Sequence, residues 1–138
     1  MIKLIIGNKG AGKTKKLIDL VNSCVENSDG NIVCIEKEPK LTYDISSKAR
    51  LLETETYAIN GHKAFYGFLA GICAGNYDVT DILVDATFKI VGRDYAKLPQ
   101  FFEMLSGLSE ASDVNFYFTI SCDKEDLPVE IFDYCEEI

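Results

Sequence analysis

Short runs of apolar residues recur along the chain with helical patterns between them. Ile2 to Ile6 is apolar at all but one position, Asn31 to Glu36 holds Ile-Val-Cys-Ile at its centre, and Ile82-Leu83-Val84 leads into Asp85. Runs of this continuity predict strands covered on both faces, since a sheet with one wet face leaves every second position polar. Asn115 to Ser121 alternates instead, with Phe116, Phe118 and Ile120 on one side and Tyr117, Thr119 and Ser121 on the other. The intervening segments change period. Leu17, Ile18, Leu20, Val21, Cys24 and Val25 make one helical stripe that Ser28-Asp29-Gly30 ends. Asn60 is placed to cap a helix running to about Ala74. Leu98, Phe101, Phe102, Leu105 and Leu108 share the core face of another, with Pro99 tolerated in its first turn, and Pro128 can open a short C-terminal helix. The signal is weakest over residues 41–59, where Leu41 to Ile45 and Ala49 to Glu53 read as short strands. Gly67, Gly71 and Gly75 fall on one helix face, a spacing that predicts close approach of a neighbouring element.

Strands alternating with helices at these intervals predict an α/β fold of three layers, a mostly parallel sheet with helices on both faces. A chain of 138 residues, 47% apolar and 26% charged, is expected to form one domain over 1–138. The five cysteines, Cys24, Cys34, Cys73, Cys122 and Cys135, are odd in number and never paired as C-x-x-C, so they read as small apolar residues in a reducing cytoplasm. The N-terminal apolar run is too short for a leader peptide, and the stretch Ala64 to Ala74 falls well short of the roughly 20 residues of a membrane span. No membrane partner is expected. The net charge of −8 also argues against general nucleic-acid binding, which draws on basic side chains neutralising phosphates. The basic residues are concentrated, however. Lys9, Lys13, Lys15 and Lys16 crowd one short segment, while residues 123–137 are strongly acidic. One basic focus on an acidic protein suits a small polyanion.

That focus coincides with the sharpest pattern in the chain. Gly7-Asn8-Lys9-Gly10-Ala11-Gly12-Lys13-Thr14 matches G-x-x-x-x-G-K-[ST] in full and sits between a strand and an amphipathic helix. Glycines permit the backbone dihedrals that turn successive N–H groups towards phosphate oxygens, and the following helix adds its dipole. On this reading Lys13, flanked by Lys15, reaches the β- and γ-phosphates and the Thr14 hydroxyl ligates Mg²⁺. At ordinary residue frequencies such an octamer arises by chance in roughly 1% or fewer of chains this long. Asp85, at the carboxyl end of a buried strand, is the second candidate Mg²⁺ contact, acting through water. Asp81, at the strand's other end, reads as a cap or solvent-facing residue.

The two segments resemble the Walker A and Walker B elements of the P-loop NTPase superfamily, over about residues 1–122. The order of elements is similar to the RecA-like division, which inserts a strand between those two, here Asn115 to Ser121. The resemblance assigns a γ-phosphate-sensing role to Ser121, with Thr119 the alternative, and the short format is similar to small single-domain bacterial ATP-binding proteins of unassigned role. It implies ATP and Mg²⁺ as ligands. Departures qualify the activity. Ala86 stands where RecA-like ATPases carry the Glu that orients water, so hydrolysis is expected to be slow or partner-dependent. Phe88 replaces the glycine of GTPases, and Asp123-Lys124-Glu125-Asp126 only approximates their guanine-reading motif, reading instead as a solvated turn. Arg93, in the loop Lys89 to Arg93, is a candidate for reaching the γ-phosphate in its own subunit or a neighbour's, against a surface pair with a carboxylate such as Asp94. Glu36 is a candidate water-orienting group if its strand lies beside that of Asp85. His62 has no partner for a triad and reads as a helix-start residue. Three functions follow: a regulatory nucleotide-binding protein that hydrolyses slowly or only with a protein partner, a RecA-like ATPase active as a homo-oligomer, and a small-molecule kinase with residues 41–60 as its acceptor loop.

Overall fold

A computed structural model describes all 138 residues. Six strands, β1 (Ile2–Ile6), β2 (Asn31–Glu36), β3 (Arg50–Glu53), β4 (Val79–Val84), β5 (Asn115–Ile120) and β6 (Glu136–Glu137), form one sheet in the order β3-β2-β4-β5-β1-β6. Every pairing is parallel. The strand of residues 115–120 thus lies between β1 and β4, as expected of the inserted strand.

Four α-helices cover the sheet: α1 (Lys13–Asn27), α2 (Gly61–Gly75), α3 (Thr87–Val91) and α4 (Leu98–Ser112). The pleat sorts alternate residues to opposite faces. Leu4, Val33, Ile35, Ile82, Val84, Phe116 and Phe118 enter the larger core with α2, α3 and α4, while Ile5, Ile32, Cys34, Leu83 and Tyr117 meet Leu17 and Val21 of α1 on the other side. Residues buried on both faces explain why the strands read as continuous apolar runs. The fold is the expected three-layer α/β type. No helix is long and apolar enough to cross a membrane.

Several local expectations are corrected. Residues 41–45 are a turn rather than a strand, because the edge of β2 that they would need is taken by β3. Leu41, Ile45 and Ala49 instead drop into the α1 core, and Asn22 of α1 ties the segment down, its Nδ2 donating to Asp44 O at 3.3 Å and its Oδ1 accepting from Ser46 N at 2.9 Å. Gly67, Gly71 and Gly75 lie on the exposed side of α2, and a Cβ at any of them would meet nothing within 4 Å, so close packing is not their reason. Asn60 occupies the N-cap position of α2 but makes no side-chain capping bond. Asp81 does not face solvent: it is buried inside β4, with Thr80 Oγ1 donating at 2.8 Å and Asn115 Nδ2 at 3.3 Å. Residues 87–91 form a short helix with Ile90 and Val91 buried, which leaves only Gly92 and Arg93 of the expected loop. Cys34, Cys122 and Cys135 are buried and Cys24 and Cys73 half-buried, all as free thiols. Pro128 precedes a 3₁₀ turn over Val129–Asp133.

Candidate functional site

The site is built at the carboxyl ends of the strands, where a parallel sheet feeds its loops into one crevice. The glycine loop leaves β1 with Gly7 N donating to Ile120 O of β5 at 3.1 Å, which pins the loop's first residue to the neighbouring strand. Gly7 is tight for a steric reason, since a Cβ there would stand 2.9 Å from that of Ala11. Gly10 and Gly12 are required by conformation, at φ +89° and +81°. Gly12 is also the N-cap of α1, so the helix begins at Lys13 with its first N–H groups open to the crevice. Lys13 folds back over the loop, its Nζ donating to Asn8 O at 3.0 Å, and the Asn8 side chain donates to Asp123.

Thr14 and Asp85 meet across the crevice. The Thr14 hydroxyl stands 3.3 Å from each carboxylate oxygen of Asp85. Behind Asp85 the buried Thr119 donates from Oγ1 to Asp85 Oδ1 at 2.9 Å and accepts from Ala86 N at 2.7 Å. This clasp holds Ala86 in the left-handed region, at φ 59° and ψ 57°, a conformation that costs an L-residue about 1–2 kcal/mol. Of the two polar candidates on β5, Thr119 therefore touches Asp85, while Ser121 offers its backbone oxygen to Arg93 Nη1 at 3.0 Å. Arg93 makes no ion pair with Asp94, whose partner is Lys97 at 4.0 Å. It is held by Ser121 O, by the Tyr95 hydroxyl at 3.3 Å and over the Phe88 ring at 5.1 Å from its centroid.

A cavity of about 620 Å³ opens among these groups. Lys9, Gly10, Gly12, Lys13, Thr14, Lys15, Asp85, Arg93 and Ser121 line it, whereas Gly7, Asn8 and Ala11 shape the loop from behind. Thr119, Lys37, Lys40 and Lys89 line it as well. Seven of the chain's 14 basic residues face this cavity, against three of its 22 acidic ones. An acidic protein has thus gathered half of its positive charge around one crevice. Lys37 and Lys40 follow β2 and Lys89 lies on α3; nothing local marked them in the sequence, because only the adjacency of β2 and β4 brings them together.

Glu36 also reaches the cavity, from the strand beside that of Asp85. Its Oε1 accepts from Lys40 N at 3.0 Å and its Oε2 from Leu41 N at 3.3 Å. Burial pushes its pKa above the usual carboxylate range, partly opposed by these two backbone donors. His62 lies elsewhere, edge-on to Phe101 at 5.7 Å between ring centroids, with its pKa lowered by burial. The Asp123 to Asp126 run is an exposed 3₁₀ turn that contacts the glycine loop through Asn8.

A hydroxyl and a carboxylate 3.3 Å apart are hard oxygen donors that fit Mg²⁺. No three acidic, histidine or cysteine side chains cluster anywhere in the chain, so the remaining ligands would be water and the oxygens of a bound anion, as is usual for this ion. Fold and site together define an all-parallel α/β protein with a glycine loop, a hydroxyl–carboxylate pair and a lysine-rich crevice at one sheet edge. No protein-family model matches the chain, and no curated protein matches it in sequence.

Proposed function

We propose that this protein binds a nucleoside triphosphate with Mg²⁺, ATP being the expected nucleotide, in the manner of a P-loop NTPase of the RecA-like division. The observation that carries the reading is the meeting of Thr14, at the start of α1, with Asp85, at the end of β4, inside a crevice floored by the glycine loop. In this reading the loop's N–H groups and Lys13 take the phosphates, Thr14 and Asp85 hold the metal, and Thr119 fixes the Asp85 carboxylate. The metal supplies charge neutralisation at the β- and γ-phosphates. Strand order supports the division, since β5 separates β1 from β4.

Turnover is slow or dependent on a partner. Ala86 offers no carboxylate to orient water, and Glu36, which reaches the cavity from the neighbouring strand, is already engaged by two backbone N–H groups. The expected kcat for the isolated protein lies well below the enzyme median of about 10 s⁻¹, which suits a regulatory role.

Calorimetric titration of Mg²⁺-ATP tests the reading. Lys13→Ala removes a charged phosphate donor worth about 2–3 kcal/mol, so affinity should fall roughly 30- to 150-fold with the fold unchanged. Asp85→Asn should abolish most of the affinity that Mg²⁺ adds while sparing metal-free binding. Undiminished affinity in Lys13→Ala would defeat the assignment.

A further inference from the structure

The glycine loop and the Thr14–Asp85 pair account for one side of the crevice only. Opposite them stand Lys40 and Lys89, which line the same cavity from two different elements, close enough that the neighbouring Lys40 lowers the Lys89 pKa. Both positions are built. Lys40 sits on a turn that Glu36 holds by two backbone bonds and that the buried Leu41 anchors. Lys89 is fixed by α3, whose neighbouring Phe88 and Ile90 are buried. Partial compensation comes from Glu38, 3.6 Å from Lys40 Nζ and itself well exposed, and from Asp85, whose charge also reaches both lysines.

Their distance from the glycine loop follows from the sheet. Adjacent strands lie about 4.8 Å apart, and β5 separates β1 from β4, so the ends of β4 and β2 stand roughly 10 and 14 Å from the end of β1. Phosphates cradled by the loop that follows β1 are neutralised by Lys13 and its neighbours.

We propose that Lys40 and Lys89 form a second anion subsite, on the far side of Asp85 from the glycine loop, which binds the phosphate group of a second small ligand at the same time as the nucleotide. This deepens the nucleotide reading and rests on it: it gives the protein a co-ligand, a phosphate dianion either free or esterified. Two ammonium groups aimed into one polar cavity are a fitting receptor for such a group, whose oxygens accept from both.

The test loads the protein with Mg²⁺ and a non-hydrolysable ATP analogue, which fills the γ-phosphate position. Inorganic phosphate and glycerol phosphate are then titrated calorimetrically into the loaded complex. The wild type should bind one equivalent, and Lys40→Ala/Lys89→Ala should weaken that binding at least tenfold while changing analogue affinity less than threefold. Lys48→Ala/Lys63→Ala, which removes the same charge at exposed positions outside the cavity, should bind phosphate as the wild type does. The tighter of the two titrants identifies free or esterified phosphate as the source. Absence of phosphate binding to the loaded wild type would overturn the subsite and leave nucleotide binding standing. Loss of analogue affinity in the double variant comparable to that in Lys13→Ala would also overturn it, by showing that the pair holds the triphosphate. If the analogue itself fails to bind, the nucleotide reading falls separately. Phosphate titrated into the free protein then decides the subsite, which is upheld if Lys40→Ala/Lys89→Ala loses binding and Lys13→Ala retains it, and refuted by the reverse.

Discussion

Thr119→Val isolates the clasp behind Asp85, because the two side chains have nearly the same shape and differ by a hydroxyl. Thr119 is only 1% exposed, so its oxygen has no water to fall back on. Removing it strands the Ala86 N–H, which now donates at 2.7 Å, and takes from Asp85 the donor at 2.9 Å. A buried donor left unpaired costs about 1–3 kcal/mol, while the half-exposed Asp85 recovers part of its loss from solvent. A net destabilisation of about 2–3 kcal/mol is expected. For a chain of this size that corresponds to a fall in Tm of roughly 6–12 °C. Thr119→Ser keeps the hydroxyl and loses one methyl, at a cost of about 1 kcal/mol. Urea denaturation of both variants supplies the comparison, and the Mg²⁺ dependence of ATP affinity reports whether Asp85 has become loose. A Thr119→Val protein as stable as Thr119→Ser, with unaltered Mg²⁺ dependence, would refute the claim that this hydroxyl organises the site.

Two further outcomes follow from backbone and charge. Ala86→Gly relieves the left-handed strain at φ 59° and, after the greater flexibility of glycine in the unfolded chain is set against it, should stabilise by up to about 1 kcal/mol; a loss of stability in thermal unfolding would contradict this. Glu36 has its folded pKa raised by burial, so its contribution is fully present below the ordinary carboxylate pKa of about 4.3 and is lost as pH rises through the elevated value. Glu36→Gln cannot ionise and should remove that decline, flattening stability against pH from mildly acidic to neutral conditions, and a wild-type slope unaffected by the substitution would exclude it.

Much of the fold was legible because its signals are local. A strand buried on both faces announces itself by composition, and β1, β2 and β4 did so. The glycine loop was legible for the same reason, since its chemistry is contiguous. Other features depended on competition between distant segments. Leu41, Ile45 and Ala49 carry enough apolar character for a strand, yet residues 50–53 took the outer edge of β2. Asp81 reads as polar and exposed until Asn115 and Thr80 are seen beside it. The glycines of α2 share a face, but nothing in the sequence says whether a neighbour covers that face. Likewise Lys37, Lys40 and Lys89 are ordinary surface lysines in sequence, and only the crossing of β2 beside β4 gathers them around the crevice.

The position of β1 has a consequence for how the protein comes into being. β1 is flanked by β5 and β6 and pairs with no strand from residues 7–114. During synthesis, at about 5–20 residues per second, the glycine loop therefore emerges early but remains unframed until β5 has followed it. Its first residue bonds to Ile120, and Asp85 waits for Thr119 from the same strand. Residues 31–84 can pair β2, β3 and β4 before then, so the half of the sheet that carries Asp85 can assemble first. Insertion of β5 is therefore the step that joins the two halves of the sheet and frames the crevice, and on the proposed nucleotide reading a ligand finds its complete site only after that step.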